Sequence, residues 1–437
     1  MKQTSSDANT SRFRKSVEFL KRAEEVIPLG SQTFSKSKAQ YPVGFAPLYA
    51  THAKGALLWD VDGNEYIDLV NNLASVTLGY SHAGQNRAVR KQLKKSVGMS
   101  LPSTLEAVVA EKIIELVPSA EMVRFAKNGS DATSAAIRLS RAYTSRDHIA
   151  VCGYHGWQDW YIGSTNMNLG VPNLIRGFTH TFTYNNLESL KDLFERFPQQ
   201  IACVILEPMN REDPADGFLD KVLKLCEREG AVCIFDETIT GFRLSEGGAQ
   251  KLFGVTPHLS TFGKGIANGF PLSVVCGSRE IMREMENVFF SGTFGGELMS
   301  LAAADYVLDQ HLENRIVPVL LKQGQTLRTA QEEAVLSYGL QDILNFTGHP
   351  SWLFYNWADG DEYSGGELRA YFMQEIFKLG ILLIGSNNIS LAHDHKLVKQ
   401  ISDRFQRAVE SLSEAIIGRN LKANLGYEPQ HPVLKIR

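Results

Sequence analysis

The sequence predicts an α/β protein built on a mainly parallel β-sheet with helices on both faces, together with a smaller α+β domain. Three observations carry this. From residue 123 onward, short apolar runs alternate with helical segments: 123–126, a helix over about 131–143, 149–152, 201–206, a helix over about 219–229, 232–235 and 273–276. Strand and helix in turn place helices over both faces of a parallel sheet. After a helical link over about 301–339, the pattern changes to strands within 343–357 and 381–390 and a terminal helix over 396–417, which suits a separate α+β unit. At 437 residues and 43% hydrophobic, the chain is long enough to bury one large core and a smaller one.

The elements before residue 123 follow from local pattern. Residues 1–11 are polar and are expected to fray. Phe13, Val17, Leu20 and Ala23 recur at helical spacing and predict a first helix ending near Pro28. Runs at 56–59 and 66–70 flank Asp62-Gly63-Asn64, which reads as a β-hairpin turn. The string Asp60-x-Asp62-Gly63 is not a calcium loop, because its glycine comes too early for an EF-hand. Residues 88–97 predict a surface helix on which Lys91, Lys94 and Lys95 form a solvated face, and 105–116 a further amphipathic helix. The expected division is an N-terminal helix and hairpin segment over 1–64 that joins the small domain, a large domain over 65–320, and the C-terminal small domain over 321–437.

Composition excludes several classes. With 45 basic against 48 acidic residues the net charge is -3, so no global field recruits nucleic acid or a membrane surface. No uninterrupted apolar run approaches a membrane span, and the N-terminal stretch lacks the apolar core of a signal peptide. Cys152, Cys203, Cys226, Cys233 and Cys276 show no CxxC spacing and sit mostly in or beside apolar runs. That pattern fits reduced thiols better than a disulfide framework or a zinc site, so a cytoplasmic protein without bound metal is expected.

The chemistry is expected around residues 232–271. An apolar run at 232–235 stops on Asp236 and Glu237, and open α/β sheets place ligands at such strand tips. Lys264 follows the short run 259–262 and stands between Gly263 and Gly265, where backbone can approach a ligand closely. An amine and a carboxylate so placed are the two groups a pyridoxal 5'-phosphate (PLP) enzyme needs: one to form the Schiff base, the other to keep the pyridine nitrogen protonated. A phosphate-binding P-loop does not fit, because Gly263-Lys264 is followed by glycine and His258 stands where the upstream glycine belongs. Asp236 alone could be a cap on the next element. Asn128-Gly129-Ser130-Asp131-Ala132 lies between a strand and a helix, where Ser130 and the first amides would face a phosphate, or Ser130 or Asp131 would simply cap the helix. Tyr154, after the strand 149–152, is placed to stack on a planar ring, and His155 reads as a hydrogen-bonded structural histidine.

Asn128-Gly129-Ser130-Asp131-Ala132, Tyr154-His155-Gly156, Leu206-Glu207-Pro208, Asp236-Glu237-x-x-Thr240-Gly241-Phe242-Arg243, Gly263-Lys264-Gly265 and Ser291-Gly292-Thr293 occur in one order and spacing. In these the chain resembles the class III, fold-type I PLP aminotransferases over nearly its whole length. Within them it is most similar to the glutamate-1-semialdehyde 2,1-aminomutases, including Leu169-Gly170-Val171-Pro172-Asn173 and Ser390-Leu391-Ala392-His393. The resemblance implies that Lys264 forms the Schiff base and shuttles the proton, that Asp236 pairs with the pyridine nitrogen, and that Tyr154 stacks on the ring. It implies that Gly129 and Ser130 bind the phosphate, joined by Thr293 across a homodimer interface, and that Glu207 sits near the cofactor or holds that strand end by a structural hydrogen bond.

The substrate half departs from the aminomutase pattern. Thr33-Phe34-Ser35-Lys36 replaces a segment ending in arginine, Leu73 replaces a tryptophan, and Gly385 an expected glutamate. Met209-Asn210-Arg211-Glu212 follows Pro208, and Gly296-Glu297 stands where Asn-Pro is expected. Lysine grips a carboxylate only as a point charge, whereas arginine forks around it. Lys36, with Thr33, is therefore an expected substrate contact only as an alternative to a solvated lysine. The expected activity is transfer of an amino group from glutamate or a similar donor to a small polar carbonyl compound, a class that includes phosphorylated and sugar-derived ones, by a ping-pong cycle. The alternatives are the intramolecular aminomutase reaction and a catalytically silent protein of the same fold serving regulation or assembly.

Overall fold

The computed structural model describes residues 12–430; the stretch 1–11, expected to fray, lies outside them. The chain begins with α1 (Arg14–Glu24), β1 (Ala50–Lys54), β2 (Leu57–Asp60), β3 (Glu65–Asp68), α2 (Ala83–Leu93) and α3 (Thr104–Leu116). It continues through β4 (Met122–Ala126), α4 (Gly129–Thr144), β5 (His148–Cys152), β6 (Thr179–Thr181), α5 (Leu187–Arg196), β7 (Ile201–Leu206), α6 (Phe218–Glu229), β8 (Val232–Asp236), β9 (Leu259–Phe262) and β10 (Ser273–Gly277). The last elements are α7 (Leu298–Leu312), α8 (Val317–Ser337), β11 (Leu344–His349), β12 (Trp352–Trp357), α9 (Gly365–Lys378), β13 (Ile381–Leu382), β14 (Ser386–Asn388) and α10 (His395–Ile417). These form two units: a larger one of residues 74–77 and 83–318, and a smaller one that takes 12–73, 78–82 and the described chain from 319.

The larger unit is built on a seven-stranded sheet in the order β4-β10-β9-β8-β7-β5-β6. All neighbours from β9 to β6 are parallel, while β10 runs antiparallel to both β9 and β4. Side chains alternate along each strand, so one strand serves two cores. Cys203 and Ile205 of β7 and Val232 and Ile234 of β8 pack with Ala135, Ala136 and Leu139 of α4. Val204, Leu206, Cys233 and Phe235 pack on the opposite face with Leu190 of α5 and Val222 and Leu225 of α6. Every residue of β7 is buried, which is why the strand reads as an unbroken apolar run. Toward the β4 edge, Phe262, Val274 and Cys276 close a third cluster with Ile113 of α3 and Leu301 and Leu308 of α7.

The smaller unit holds two sheets, β1-β2-β3-β13 and β11-β12-β14. Asp62-Gly63-Asn64 turns β2 back onto β3, with Gly63 at φ 89° and Asp60 N donating to Asn64 O at 3.0 Å. A boundary at residue 64 would fall inside this hairpin; the pairing of β3 with β2 and with β13 keeps 65–73 in the smaller unit. The expected strand at 343–357 is a hairpin of β11 and β12, and the expected strand at 381–390 is β13 and β14, which belong to different sheets. Helix α2 starts at Ala83 rather than 88. Gln85 Nε2 donates to Ala267 O at 2.8 Å, and a Cβ on Gly84 would stand 2.0 Å from the Tyr306 hydroxyl, so tertiary contact sets the start of this helix.

Helix α4, which carries the phosphate-facing motif, has Asp131 Oδ2 accepting from Asn128 N at 2.8 Å at its start and stops on Ser145 in the left-handed conformation (φ 55°, ψ 35°). Ser145 is exposed, so its backbone strain is not offset by side-chain packing. Ser145→Gly is expected to stabilise the protein by about 1 kcal/mol, read as a higher urea midpoint with an unchanged slope.

Candidate active site

The C-terminal ends of β4, β5, β7, β8 and β9 lie along one edge of the sheet, because β10 reverses between two strands of like direction. A cavity of about 290 Å³ opens there. Each strand delivers one part of it. After β4 come Gly129 and Ser130 at the start of α4; after β5, Tyr154 and His155; after β7, Glu207; on β8, Asp236; and beyond β9, Lys264.

Asp236 continues the alternation that turns Val232 and Ile234 toward the α4 side of the sheet. Its side chain is 4% exposed. Oδ2 accepts from His155 Nδ1 at 2.8 Å, and Oδ1 accepts from Thr238 Oγ1 at 2.6 Å, Thr238 N at 3.1 Å and Thr261 Oγ1 at 3.0 Å. Burial alone pushes this carboxyl up, yet the hydrogen bond and charge of His155 and the Thr238 donors outweigh it and hold it below the usual value. His155 Nε2 lies 3.1 Å from Cys152 O, so both ring nitrogens have oxygen neighbours. Glu237, the residue after β8, turns away and takes Ala249 N at 2.8 Å and Gln250 N at 2.9 Å. It anchors the short helix Ala249–Phe253 rather than the cavity.

Lys264 sits at φ 43°, a left-handed conformation that costs a side-chain-bearing residue about 1–2 kcal/mol. Burial lowers its amine to about 8, with Glu207 and Asp236 acting in the opposite sense and Arg243 adding to the depression. Glu207 moves the other way from Asp236: burial raises it, His155 lowers it, and Asp236 raises it again. Its Oε2 accepts from Tyr154 N at 3.1 Å and Asn210 Nδ2 at 2.8 Å. Tyr154 is half-exposed at the cavity with its hydroxyl shifted up by burial and by Asp236 and Glu207. Gly156, at φ 114°, lets the Tyr154–His155 turn cross α4: a Cβ there would stand 2.3 Å from Ser130 Oγ.

The structure therefore brings Lys264, Asp236, Gly129, Ser130, Tyr154 and Glu207 to one cavity. Thr293 is exposed and lines a second cavity of about 400 Å³ with Ser291, Gly292 and Phe294; Lys127 lines both. Thr33 and Lys36 belong to the smaller unit, where Lys36 Nζ donates to Asn72 Oδ1 at 2.5 Å and Asp68 acts on it electrostatically. Sequence reasoning missed Thr238 and Thr261, the hydroxyl donors to Asp236. Thr238 lay inside the motif already singled out; Thr261 is found only through the pairing of Asp236 with Thr261 across β8 and β9. It also missed Ser75, which lines the cavity without any local signal.

The family described as aminotransferase class-III matches residues 40–345. The chain belongs to the class III aminotransferases. It is 34% identical over 385 residues to glutamate-1-semialdehyde 2,1-aminomutase of Syntrophobacter fumaroxidans, covering 81% of this chain and 88% of that protein. It is 35% identical over 359 residues to 3-aminobutyryl-CoA aminotransferase of Cloacimonas acidaminovorans, covering 80% and 85%. Among solved structures, the PLP internal aldimine form of the Sphingopyxis sp. MTA144 FumI protein superposes with a TM-score of 0.87 at 28% identity, covering 95% of this chain and 99% of that one. This class III aminotransferase is thus a PLP-dependent enzyme of fold type I.

A lysine amine lowered to about 8 is largely neutral just above that pH and largely protonated below it. The rate at which the cofactor-free aminotransferase captures added PLP should rise about tenfold per pH unit up to roughly pH 8 and then level off. Stopped-flow absorbance between about pH 6 and pH 10 checks this; a rise continuing to pH 10 would indicate an unperturbed lysine.

Proposed function

We propose that the enzyme moves an amino group from a donor such as glutamate to the carbonyl of a small polar acceptor, in two half-reactions at the cavity that holds Lys264. The observation that carries this reading is the pairing of a depressed amine, Lys264, with a carboxylate kept charged by His155, Thr238 and Thr261. The residues present fit the cofactor. The first-turn amides of Gly129 and Ser130 have no acceptor in the described chain, Gly156 leaves Ser130 Oγ accessible at the same place, and a helix start of this kind accepts phosphate.

When bound, PLP supplies an aldehyde for amine exchange and a ring that draws off negative charge from the substrate carbon. Gly129 and Ser130 would hold the phosphate, Tyr154 would cover the ring, and Asp236 would keep the pyridine nitrogen protonated. Lys264 Nζ would bind covalently and, once displaced by the donor, take the proton from the donor's carbon. Its low pKa suits that task, since a base must be neutral at working pH. Glu207 borders the same cavity. Thr293, exposed in one chain, would complete the phosphate site of a partner in a homodimer. Five free cysteines, four of them buried, suit a cytoplasmic setting.

The aminomutase reaction is the second reading, favoured by 34% identity to a protein of that name. Neither relative's named substrate is a free α-amino carboxylate, which widens the donors worth testing to amines placed elsewhere on the carbon chain. Absorbance of the purified PLP-loaded protein during addition of single amines decides between the readings. Under transamination, glutamate or another donor bleaches the lysine-linked band and releases a keto compound. Under the mutase reading, only glutamate semialdehyde or its diamine counterpart changes the spectrum. If no amine alters the spectrum, the protein is catalytically silent.

Two substitutions test the assigned roles. Lys264→Ala should abolish the lysine-linked band and turnover while leaving the fold intact by circular dichroism. Asp236→Asn removes the charge and should slow the donor half-reaction by about 10²–10³-fold, measured in single-turnover absorbance.

A further inference from the structure

A further cavity of the larger unit, about 320 Å³, opens at the β6 edge of the large sheet and shares no lining residue with the cavity of Lys264. Its ionisable side chains are all basic: Arg176 from the loop before β6, His180 of β6 and Arg196, the last residue of α5. No aspartate or glutamate lines it, and among the described residues none pairs with either arginine. The donors are held in place but not used up. Arg176 Nε donates to Val171 O at 3.0 Å and Nη2 to Asn168 O at 2.8 Å, which pins the guanidinium and leaves Nη1 without a partner among the described residues. Arg196 makes no hydrogen bond among them, and its guanidinium carbon lies 5.9 Å from the centre of the Phe197 ring. His180 stacks on the same ring at 4.1 Å between centroids, and its Nε2 meets His148 Nδ1 of β5 at 2.8 Å, so Nδ1 is the nitrogen left over. Thr181 Oγ1 has no partner among the described residues either. The hydroxyls of Ser164, Thr165 and Thr179, by contrast, donate to the carbonyls of Tyr161, Ile162 and Trp160 and bring no proton to a ligand.

The field in this cavity is positive. Burial, His148 and Arg196 together push His180 down to about 4. A cleft lined by charges of one sign concentrates the opposite ion, and guanidinium groups fork around the oxygens of phosphate or carboxylate. Here the donors come from a loop, a helix end and a strand, an arrangement that suits a tetrahedral oxyanion with charge near −2 better than a flat carboxylate, which one arginine satisfies. We propose that the cavity binds the phosphate group of a small phosphorylated metabolite through Arg176, Arg196 and Thr181. Its volume leaves room for the organic part of such a ligand. The site is separate from the cofactor-phosphate position at Gly129 and Ser130, and it does not depend on the amino-transfer reading. Ser164 Oγ donates to Tyr161 O at 2.7 Å, and the Tyr161 ring packs edge-on against Tyr154 at 5.6 Å between centroids. The loop that lines the phosphate cavity is thus tied to a side chain that packs on a residue of the Lys264 cavity.

Isothermal titration calorimetry with inorganic phosphate tests this on the PLP-loaded enzyme, whose cofactor already fills its own phosphate position. The expected result is saturable binding of one phosphate per chain, with succinate at the same ionic strength binding at least about tenfold more weakly. Arg196→Gln should raise the dissociation constant for phosphate about tenfold, as loss of one charge-assisted hydrogen bond implies. Arg196 is exposed and anchors no other segment, so this variant should match the parent in circular dichroism and in the lysine-linked absorbance band. Thr181→Val gives a second, smaller loss without a change of charge. Absence of saturable binding up to about 10 mM phosphate overturns the proposal. Equal binding by parent and Arg196→Gln overturns it as well, since the phosphate then lies elsewhere, and equal affinity for succinate overturns the assignment to phosphate.

Discussion

Keeping a carboxylate ionised inside a protein is the constraint on which this site depends. Removed from water and left alone, Asp236 would take up a proton, and nothing in an apolar sheet would prevent it. Four hydrogen bonds reverse that outcome: one from His155, two from Thr238 and one from Thr261. The two from Thr238 are local to the turn after β8, but those from His155 and Thr261 come from the turn after β5 and from β9, so they exist only once β5, β7, β8 and β9 are side by side in register. A one-residue slip of β8 would turn Asp236 to the α6 side and present Phe235 in its place. The site therefore inherits its precision from the apolar packing that fixes the sheet.

The same cavity holds a second carboxyl with the opposite tendency. Glu207 also receives hydrogen bonds, from Tyr154 N and Asn210, but burial and the charge of Asp236 outweigh them and favour its protonated form. Two acids in one cavity are thus separated by environment into a fixed anion and a group that holds a proton more readily. Lys264 completes the set. Its amine is lowered by burial, and the two acids limit the fall, leaving a value near 8 where neutral and charged forms interconvert around neutrality.

How much of this was legible in the sequence follows from what kind of force sets each feature. Strands β7 and β8 were legible because both faces are buried and the residues are apolar up to Asp236 at the end of β8, and the hairpin at Gly63 was legible because a left-handed turn calls for glycine. The cofactor half of the site was legible as motifs at strand ends. Edge strand β6, of three residues, carried no such run, and the start of α2 is set by Gly84 and Gln85 against distant partners. Thr261 reaches Asp236 only through register, which a linear reading does not supply. Ser75 was invisible because its approach is a left-handed turn written in Asn, Asn, Leu and Ala, with no glycine to mark it.

Some of the chain's backbone strain is borne by the unit that carries the cavity. Ala74, Phe242, Lys264 and Asn268 all adopt positive φ without being glycine, and all belong to the unit that carries the cavity. Strain of about 1–2 kcal/mol at each would be a large share of a typical domain's net stability if it stood in isolation. The buried strands beneath can offset it, since each fully buried leucine, isoleucine or phenylalanine contributes roughly 1.5–3 kcal/mol. Regular structure below and strained loops above are thus two parts of one arrangement. The sheet supplies the stability, and the loops use it to hold Lys264 in a conformation that an unconstrained chain would avoid.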